Sequence, residues 1–126
     1  MTKIRITKEF NFEMAHALFN YNGACKNIHG HSYRLFVTVM GTPINDMKNH
    51  ENGMVIDFNK LKQIVKENII NDFDHAIVLF DNIQNQNLIK QIPAQKNVLT
   101  KYQPTCENML IDFANRIIDK LPQNIS

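Results

Sequence analysis

The chain has 126 residues, a length that predicts a single domain over residues 1–126. Its 14 Lys and Arg residues and 12 Asp and Glu residues give a net charge of +2 without a basic run, which argues against nucleic acid as a partner. No window approaches the roughly 18 consecutive apolar residues of a membrane span, and the first ten residues lack the apolar centre of a secretory signal. We therefore expect a cytoplasmic protein with no membrane partner and with both cysteines reduced.

Two strands are predicted in the first third of the chain, because apolar residues recur there at every second position. In the first strand the apolar residues are Ile4, Ile6, Phe10, Phe12 and Met14, and His16 falls on the same side of the strand. In the second strand one side carries His29, His31, Tyr33, Leu35, Val37 and Val39. The Asn- and Gly-containing segment 19–27 predicts a loop between the strands. If the strands form an antiparallel hairpin, His16 lies opposite the His29 and His31 pair.

Two amphipathic helices are predicted farther along, with Asp57 and Thr105 as their N-caps and Pro122 after the second. The first helix is expected to bury Phe58, Leu61, Ile64, Val65 and Ile69. The second is expected to bury Met109, Leu110, Phe113, Ala114, Ile117, Ile118 and Leu121. Between the helices, FDHAIVLF is an apolar run of uncertain type, NIQNQNLIKQI favours a helical turn or two, and KNVLTKYQ favours a short strand. This order predicts an α+β fold with two helices on one face of an antiparallel sheet.

The histidines of the two strands predict a metal site. Side chains two residues apart in a strand face the same side, with alpha-carbons roughly 6.5 to 7 Å apart, so His29 and His31 can converge on one ion. His16 is the best third ligand, although a lone histidine at a strand end is more often a core or surface residue. Zinc is preferred over iron because no Asp or Glu stands at the spacing of a facial triad. Three protein ligands leave one position open, as in catalytic zinc sites.

Cys25 lies four residues before His29, and its role is open at this point. It is a fourth ligand that closes a structural site, or a free thiol whose pKa a nearby cation lowers so that the thiolate can take a proton. A buried, inert cysteine is the common alternative, but a polar Asn-rich loop is a poor place to bury one. His50, in the polar segment 45–53, is expected to point into water.

The motifs FNFEMAHAL, CKNIHGHSY, NGMVIDFNKLK, FDHA and PTCENM, in this order, resemble the 6-pyruvoyltetrahydropterin synthase family, and within it the 6-carboxytetrahydropterin synthases of queuosine biosynthesis. The resemblance implies that His16, His29 and His31 are zinc ligands and that Cys25 is the catalytic thiol.

The resemblance also implies roles for four further residues. Asp74 and His75 would complete a Cys-His-Asp relay, with the Asp orienting the imidazole. Thr105 and Glu107 would help to bind the pterin. From the residues alone, Asp74 reads as a solvated charge, His75 as a half-buried residue, Thr105 as an N-cap and Glu107 as a carboxylate that favours the helix dipole.

A thiol four residues before the first histidine of HGH is typical of the carboxytetrahydropterin type. The implied reaction converts 7,8-dihydroneopterin triphosphate, a small-molecule partner, to 6-carboxy-5,6,7,8-tetrahydropterin with release of acetaldehyde and triphosphate. Three alternatives stay open: a 6-pyruvoyltetrahydropterin synthase, a non-catalytic relative that binds zinc and pterin, and a structural zinc domain closed by Cys25.

The resemblance implies a tunnelling fold of the order strand, strand, helix, helix, strand, strand, whose subunits join into a barrel. A homo-oligomer based on trimers, such as a hexamer, is therefore expected. The sequence shows no counterpart of the last strand pair or of its pterin-gripping glutamate. A two-stranded hairpin under two helices is marginal and exposes a strand edge. We expect a shortened chain, an edge covered by oligomer contacts, or pairing of KNVLTKYQ with the sheet.

Overall fold

The computed structural model describes residues 2–93 and 95–126 and contains a four-stranded sheet beside four α-helical segments. The strands are β1 (Ile4–His16), β2 (His29–Gly41), β3 (Ala76–Phe80) and β4 (Asn97–Thr100), in the order β2-β1-β3-β4. The helices are α1 (Phe58–Val65), α2 (Asn71–Phe73), α3 (Ile83–Lys90) and α4 (Cys106–Ile118). Among the described residues, no helix combines the length and the apolar character needed to cross a membrane.

The long hairpin of β1 and β2 confirms the predicted alternation. The two strands pair antiparallel over their whole length, from Ile4 opposite Gly41 to His16 opposite His29. The buried face carries Phe10, Phe12, Met14, His16, Leu35, Val37 and Val39. Since the side-chain period of a strand is two, a register shift of one residue would turn the buried residues of the shifted strand to solvent.

The sheet is mixed, so the prediction of an antiparallel sheet is wrong beyond the hairpin. β3 runs parallel to β1, with Met14 opposite Ala76 and His16 opposite Val78, and β4 runs parallel to β3. The connection from β3 to β4 passes through α3, and such a crossover joins parallel strands. A parallel strand with both faces covered reads as a continuous apolar run, which explains why AIVLF does not alternate.

Helices α1 and α4 pack on the buried face of the hairpin, which confirms two helices on one face of the sheet. The predicted caps are also confirmed: the Asp57 side chain accepts from the Asn59 amide, and the Thr105 hydroxyl accepts from the Asn108 amide. Helix α1 continues through a π-helical segment (Lys66–Ile70) into α2. The wider π turn places two consecutive residues, Ile69 and Ile70, in the core.

The buried stripe of α4 is narrower than predicted. Met109, Phe113 and Ile117 are buried, but Leu110 and Ile118 are 56% and 50% exposed. A helix that contacts the sheet along one row of residues four apart leaves the neighbouring positions in solvent. The prediction of Leu110, Ala114 and Ile118 as core residues is therefore wrong, and so is that of Phe58 in α1, which is 48% exposed.

After α4 the chain returns to the edge of the sheet. The Met40 amide donates to the Ser126 carbonyl at 2.7 Å, and the Ser126 amide donates to the Met40 carbonyl at 3.1 Å. No strand follows α4 within the part of the chain that the structure describes. The segment KNVLTKYQ instead supplies β4, so the sheet has four strands. This confirms the expectation that KNVLTKYQ pairs with the sheet.

We predict that Phe73→Ala lowers the free energy of unfolding by about 3–5 kcal/mol, because the substitution leaves a cavity in the core. Phe73 is fully buried and lies edge-on to Phe113 with ring centroids 4.9 Å apart. Phe36, which is 55% exposed, provides the control. Phe36→Ala should cost less than about 1 kcal/mol in the same denaturant titration. Equal losses for both variants would contradict this description of the core.

Candidate metal centre and its surroundings

Three histidines meet at the end of the hairpin, on its buried face. His16 is the last residue of β1, His29 lies opposite it, and His31 lies opposite Met14. One ring nitrogen from each histidine lies within 4.8 Å of those of the other two. Burial is graded, since His16 is 5% exposed, His29 is half-buried and His31 is exposed. The cluster therefore opens to solvent on the His31 side.

Backbone carbonyls orient two of the three rings. His16 Nδ1 lies 2.8 Å from the Pro104 carbonyl, and His29 Nδ1 lies 2.7 Å from the Asn27 carbonyl. Because a carbonyl only accepts hydrogen bonds, both Nδ1 atoms are the protonated nitrogens and both Nε2 atoms carry lone pairs. The Nε2 atom of His29 is buried without a partner in the described structure.

This arrangement has the features of a metal centre. Metal-ligating histidines donate their other ring N–H to a carbonyl or carboxylate, which fixes the tautomer and the ring orientation. A buried nitrogen lone pair without a partner is costly unless something binds it. The three imidazoles therefore fit a divalent cation that accepts nitrogen ligands.

The pKa of His16 lies below its ordinary value of 6.5, chiefly because burial disfavours the imidazolium. The hydrogen bond to Pro104 opposes this shift, and the charges of His29 and His31 add to it. His16 is therefore neutral near pH 7, which is the state that binds a metal.

Tyr33 extends the wall behind the cluster, and its place beside the site was not predicted. Its ring stacks on Phe12 with centroids 5.0 Å apart and lies edge-on to His31 at 5.6 Å. Burial raises the Tyr33 pKa to about 12, so the phenol stays protonated. The packed ring limits how far the His31 ring can turn away from the cluster. The sequence marked Tyr33 only as a member of the buried face.

Cys25 lies in a 3-10 turn (Ala24–Lys26) beside the cluster. Its carbonyl accepts from the Leu18 amide at 2.8 Å, and its side chain is partly exposed. The thiol does not belong to the group of mutually close ligand atoms, which among the described residues consists of the three imidazoles alone. This placement favours a site with an open position over a site that Cys25 closes.

Asp74 and His75 form a pair, with Oδ1 of Asp74 2.9 Å from Nδ1 of His75. The turn that carries them is anchored to Glu13 of β1, whose amide donates to Oδ1 of Asp74 at 3.0 Å and whose carbonyl accepts from the His75 amide. His75 adopts a φ of +63°, which is uncommon for a residue other than glycine. The bond from Glu13 is the main reason that the Asp74 pKa lies below its ordinary value.

Lys96, which precedes β4, strengthens this anchor. Its Nζ donates to the carbonyls of Asn71 and Asp74, the latter at 2.7 Å, and so satisfies free carbonyls at the end of α2. Its charge also contributes to the lowered pKa of Asp74. No sequence motif predicts this role of Lys96, because its partners are backbone carbonyls more than 20 residues away in sequence.

The Asp74 and His75 pair lies apart from the histidine cluster along the strands. The His75 side chain is 75% exposed, and in the described structure no hydrogen bond joins it to Cys25. His75 precedes β3 by one residue, whereas His16 lies opposite Val78, so the two histidines are separated by about 10 Å along the strands. The structure thus brings the three histidines together and places the Asp74 and His75 pair away from them.

The two residues expected to contact the pterin lie at the start of α4. Thr105 is the N-cap, and its hydroxyl accepts from the Asn108 amide at 3.2 Å, which confirms the predicted capping role of Thr105. Glu107 is exposed in the first turn. Pro104 immediately precedes this turn and bonds His16, which places the start of α4 beside the cluster. His50 is exposed, as predicted.

Comparisons with known proteins agree with the motifs. The family described as 6-pyruvoyl tetrahydropterin synthase matches residues 5–126. The 6-carboxy-5,6,7,8-tetrahydropterin synthase of Haemophilus influenzae is 34% identical over 116 residues, which cover 90% of this chain and 81% of that protein. The protein of the same name from Rickettsia typhi is 32% identical over 119 residues, covering 94% of this chain and 83% of that protein.

Among solved structures, an uncharacterized protein of Wolinella succinogenes has the same fold. It superposes with a TM-score of 0.70 at 17% identity and covers 91% of this chain and 83% of its own. At this identity the likeness describes the fold alone.

We predict that His29→Ala abolishes tight binding of zinc, because a carbonyl-oriented ligand is lost and the remaining rings supply two nitrogens. His50→Ala is the matched control, since His50 is an exposed histidine outside the cluster. Metal content after dialysis, measured by atomic emission, should be about one zinc per chain in His50→Ala and near zero in His29→Ala. Retention of zinc by His29→Ala would contradict the three-imidazole centre.

Proposed function

This chain belongs to the 6-pyruvoyl tetrahydropterin synthase family, and on that premise we propose that it is a zinc-dependent 6-carboxytetrahydropterin synthase. The proposed reaction takes 7,8-dihydroneopterin triphosphate and one water to 6-carboxy-5,6,7,8-tetrahydropterin with release of acetaldehyde and triphosphate, a carbon–carbon lyase reaction. The observation that carries the proposal is the convergence of His16, His29 and His31, together with the buried, unpartnered Nε2 of His29. The names of the relatives that are about a third identical to this chain support the carboxy type.

The histidines would hold zinc, and the arrangement of the site supports a role in binding substrate oxygens. When bound, the zinc supplies Lewis-acid stabilisation of negative charge that develops on the side-chain oxygens of the substrate. His31, on the open side, would face the incoming substrate, whereas the buried His16 and its bond to Pro104 keep the centre rigid. Rigidity of this kind matters because misplaced catalytic groups lose rate steeply.

Cys25 would act as the general base, taking a proton from a carbon of the substrate side chain next to its oxygens. Its turn is tied to Leu18, and the thiol stays outside the ligand cluster, which leaves it free for proton transfer. His75 would relay the proton. Asp74, kept ionised by its bonds to Glu13 and His75, would hold the His75 ring in one tautomer.

The relay would be assembled between copies of the chain. Within one chain the His75 side chain is 75% exposed, and no hydrogen bond joins it to Cys25 in the described structure, which leaves it available to a neighbouring copy. A neighbouring subunit in a homo-oligomer, trimer-based as the family resemblance implies, would bring its His75 to this Cys25. Thr105 and Glu107, at the start of α4 next to the cluster, would contact the pterin ring.

We predict that Cys25→Ala retains about one zinc per chain and loses turnover of dihydroneopterin triphosphate by at least about 100-fold, the usual contribution of a general base. Cys106→Ala is the control, because Cys106 is an exposed cysteine at the start of α4. Product analysis by liquid chromatography and an acetaldehyde assay measures the outcome. Full activity in Cys25→Ala would contradict the thiol role, and loss of zinc there would indicate a structural site closed by the cysteine.

The wild-type product separates the candidate functions. Acetaldehyde released in equal amount with 6-carboxytetrahydropterin supports the proposal. Formation of 6-pyruvoyltetrahydropterin without acetaldehyde would assign the chain to the pyruvoyl type instead. If a zinc-loaded sample forms neither product, the chain is a binding protein and the enzymatic assignment is overturned.

A mixing experiment tests the relay between subunits. Cys25→Ala and His75→Ala should each be inactive alone, but co-refolding them should restore a substantial fraction of the wild-type rate, because mixed oligomers contain sites with one intact thiol and one intact imidazole. Rates at several mixing ratios give the measurement. If the mixture stays as inactive as the parents while size measurements show mixed oligomers, the relay lies within one chain.

A further inference from the structure

A groove of about 570 Å³ opens beside the metal cluster, and the proposed function leaves it without a role. Its walls are the loop of residues 17–22, Lys26 and Asn27, and the first turn of α3 at Gln84 and Asn85. We propose that this groove binds the polyphosphate end of the substrate, with Lys26 as the residue that selects for it. The identity of the ligand rests on the proposed function. The match of charge and hydrogen bonding rests on the residues that line the groove.

The groove and the metal cluster share a wall. Ala17, which lines the groove, follows the ligand His16 in the chain. Asn27, which also lines it, provides the carbonyl that orients His29 at 2.7 Å. A ligand that reaches the cluster with its carbon chain can therefore extend a charged tail into the groove without crossing another structural element.

The lining is rich in hydrogen-bond donors. Lys26 is the charged member of the described lining, and no carboxylate belongs to it. The amide side chains are those of Asn20, Asn22, Asn27, Gln84 and Asn85, of which Asn85 already donates from Nδ2 to the Phe80 carbonyl at 2.8 Å. The nearby Asp81 lies outside the lining, and its carboxylate accepts from the side chain of Gln86 at 2.7 Å. Polyphosphate oxygens are acceptors throughout, so this lining matches them in both charge and hydrogen bonding.

The loop that forms one wall is held in place rather than free. The Phe19 amide donates to Oε1 of Gln103 at 2.8 Å, and Nε2 of Gln103 donates to the Phe19 carbonyl at 2.7 Å. The Phe19 ring also stacks on Phe80, with centroids 5.6 Å apart. Because Gln103 precedes Pro104, the same short segment fixes both the groove and the His16 ring. Sites that are formed before the ligand arrives bind without an ordering cost.

The test uses inorganic tripolyphosphate and the metal-free protein at pH 8, so that no bound zinc competes for the anion. Calorimetry should show binding that weakens as NaCl is raised. Lys26→Gln should bind about tenfold more weakly, the loss expected for one charge-assisted contact. Lys48→Gln, which removes an exposed lysine in another loop, should bind as the wild type does.

A second pair of variants guards against a purely local effect of Lys26. Gln84→Glu puts a negative charge on the opposite wall and should also weaken binding about tenfold. Gln123→Glu makes the same change of net charge at an exposed position near the C-terminus and should leave binding unchanged. No binding of tripolyphosphate by the wild type, or equal affinities within the two matched pairs, would overturn the proposal.

The same reagents separate this proposal from the proposed function. His29→Ala should lose zinc and keep wild-type affinity for tripolyphosphate, since the groove does not depend on the ion. With the triphosphate substrate, Lys26→Gln should raise KM about tenfold with kcat within about twofold. If tripolyphosphate binds as described but no pterin product forms, the groove stands as a polyphosphate site and the enzymatic assignment fails.

Discussion

The pairing of β1 with β2 is the constraint on which the centre depends. His16 and His29 are directly opposite each other, and His31 follows on the same face, only in this register. A shift of β1 by one residue would send His16 to the outer face and expose Phe10 and Phe12 with it. The free energy that holds the register comes from the apolar half of each strand, so the core positions the three histidines.

The second requirement is the orientation of the imidazoles, which the strands do not provide. Two backbone carbonyls supply it, from Pro104 before α4 and from Asn27 before β2. Both residues lie where the chain leaves regular structure, so their carbonyls are free to accept. The Pro104 contact joins residues 88 apart in sequence, and it couples the packing of α4 to the geometry of His16. The same segment, through Gln103, holds the loop that shapes the groove.

The amino-acid sequence predicted those features that depend on local periodicity. The alternation in β1 and β2, the caps Asp57 and Thr105, and the shared face of the three histidines follow from spacings of a few residues, and the structure confirms them. The parallel β3 and β4 were not assigned with certainty, because a short apolar run has no periodicity that separates strand from helix. The pairing of Ile69 and Ile70 in the core arises from a π turn, which no propensity predicts.

The surroundings of the site also escaped sequence reasoning. Lys96 bonds backbone carbonyls of a distant turn, and the Glu13 backbone anchors Asp74 and His75, so neither contact has a side-chain signature. The functional roles of Cys25, Asp74, His75, Thr105 and Glu107 remain predictions, because the geometry of a single chain does not test them. The sequence also overestimates the burial of α4, because an apolar residue at helical spacing, such as Leu110 or Ile118, does not always face the sheet.

The most direct test of the account is X-ray absorption spectroscopy at the zinc edge of the reconstituted protein. Three imidazole nitrogens at about 2.0–2.1 Å and one exchangeable oxygen are predicted, and the oxygen should be replaced when a substrate analogue is added. A sulfur scatterer at about 2.3 Å would show that Cys25 closes the site. That result would contradict a catalytic centre with a vacant position.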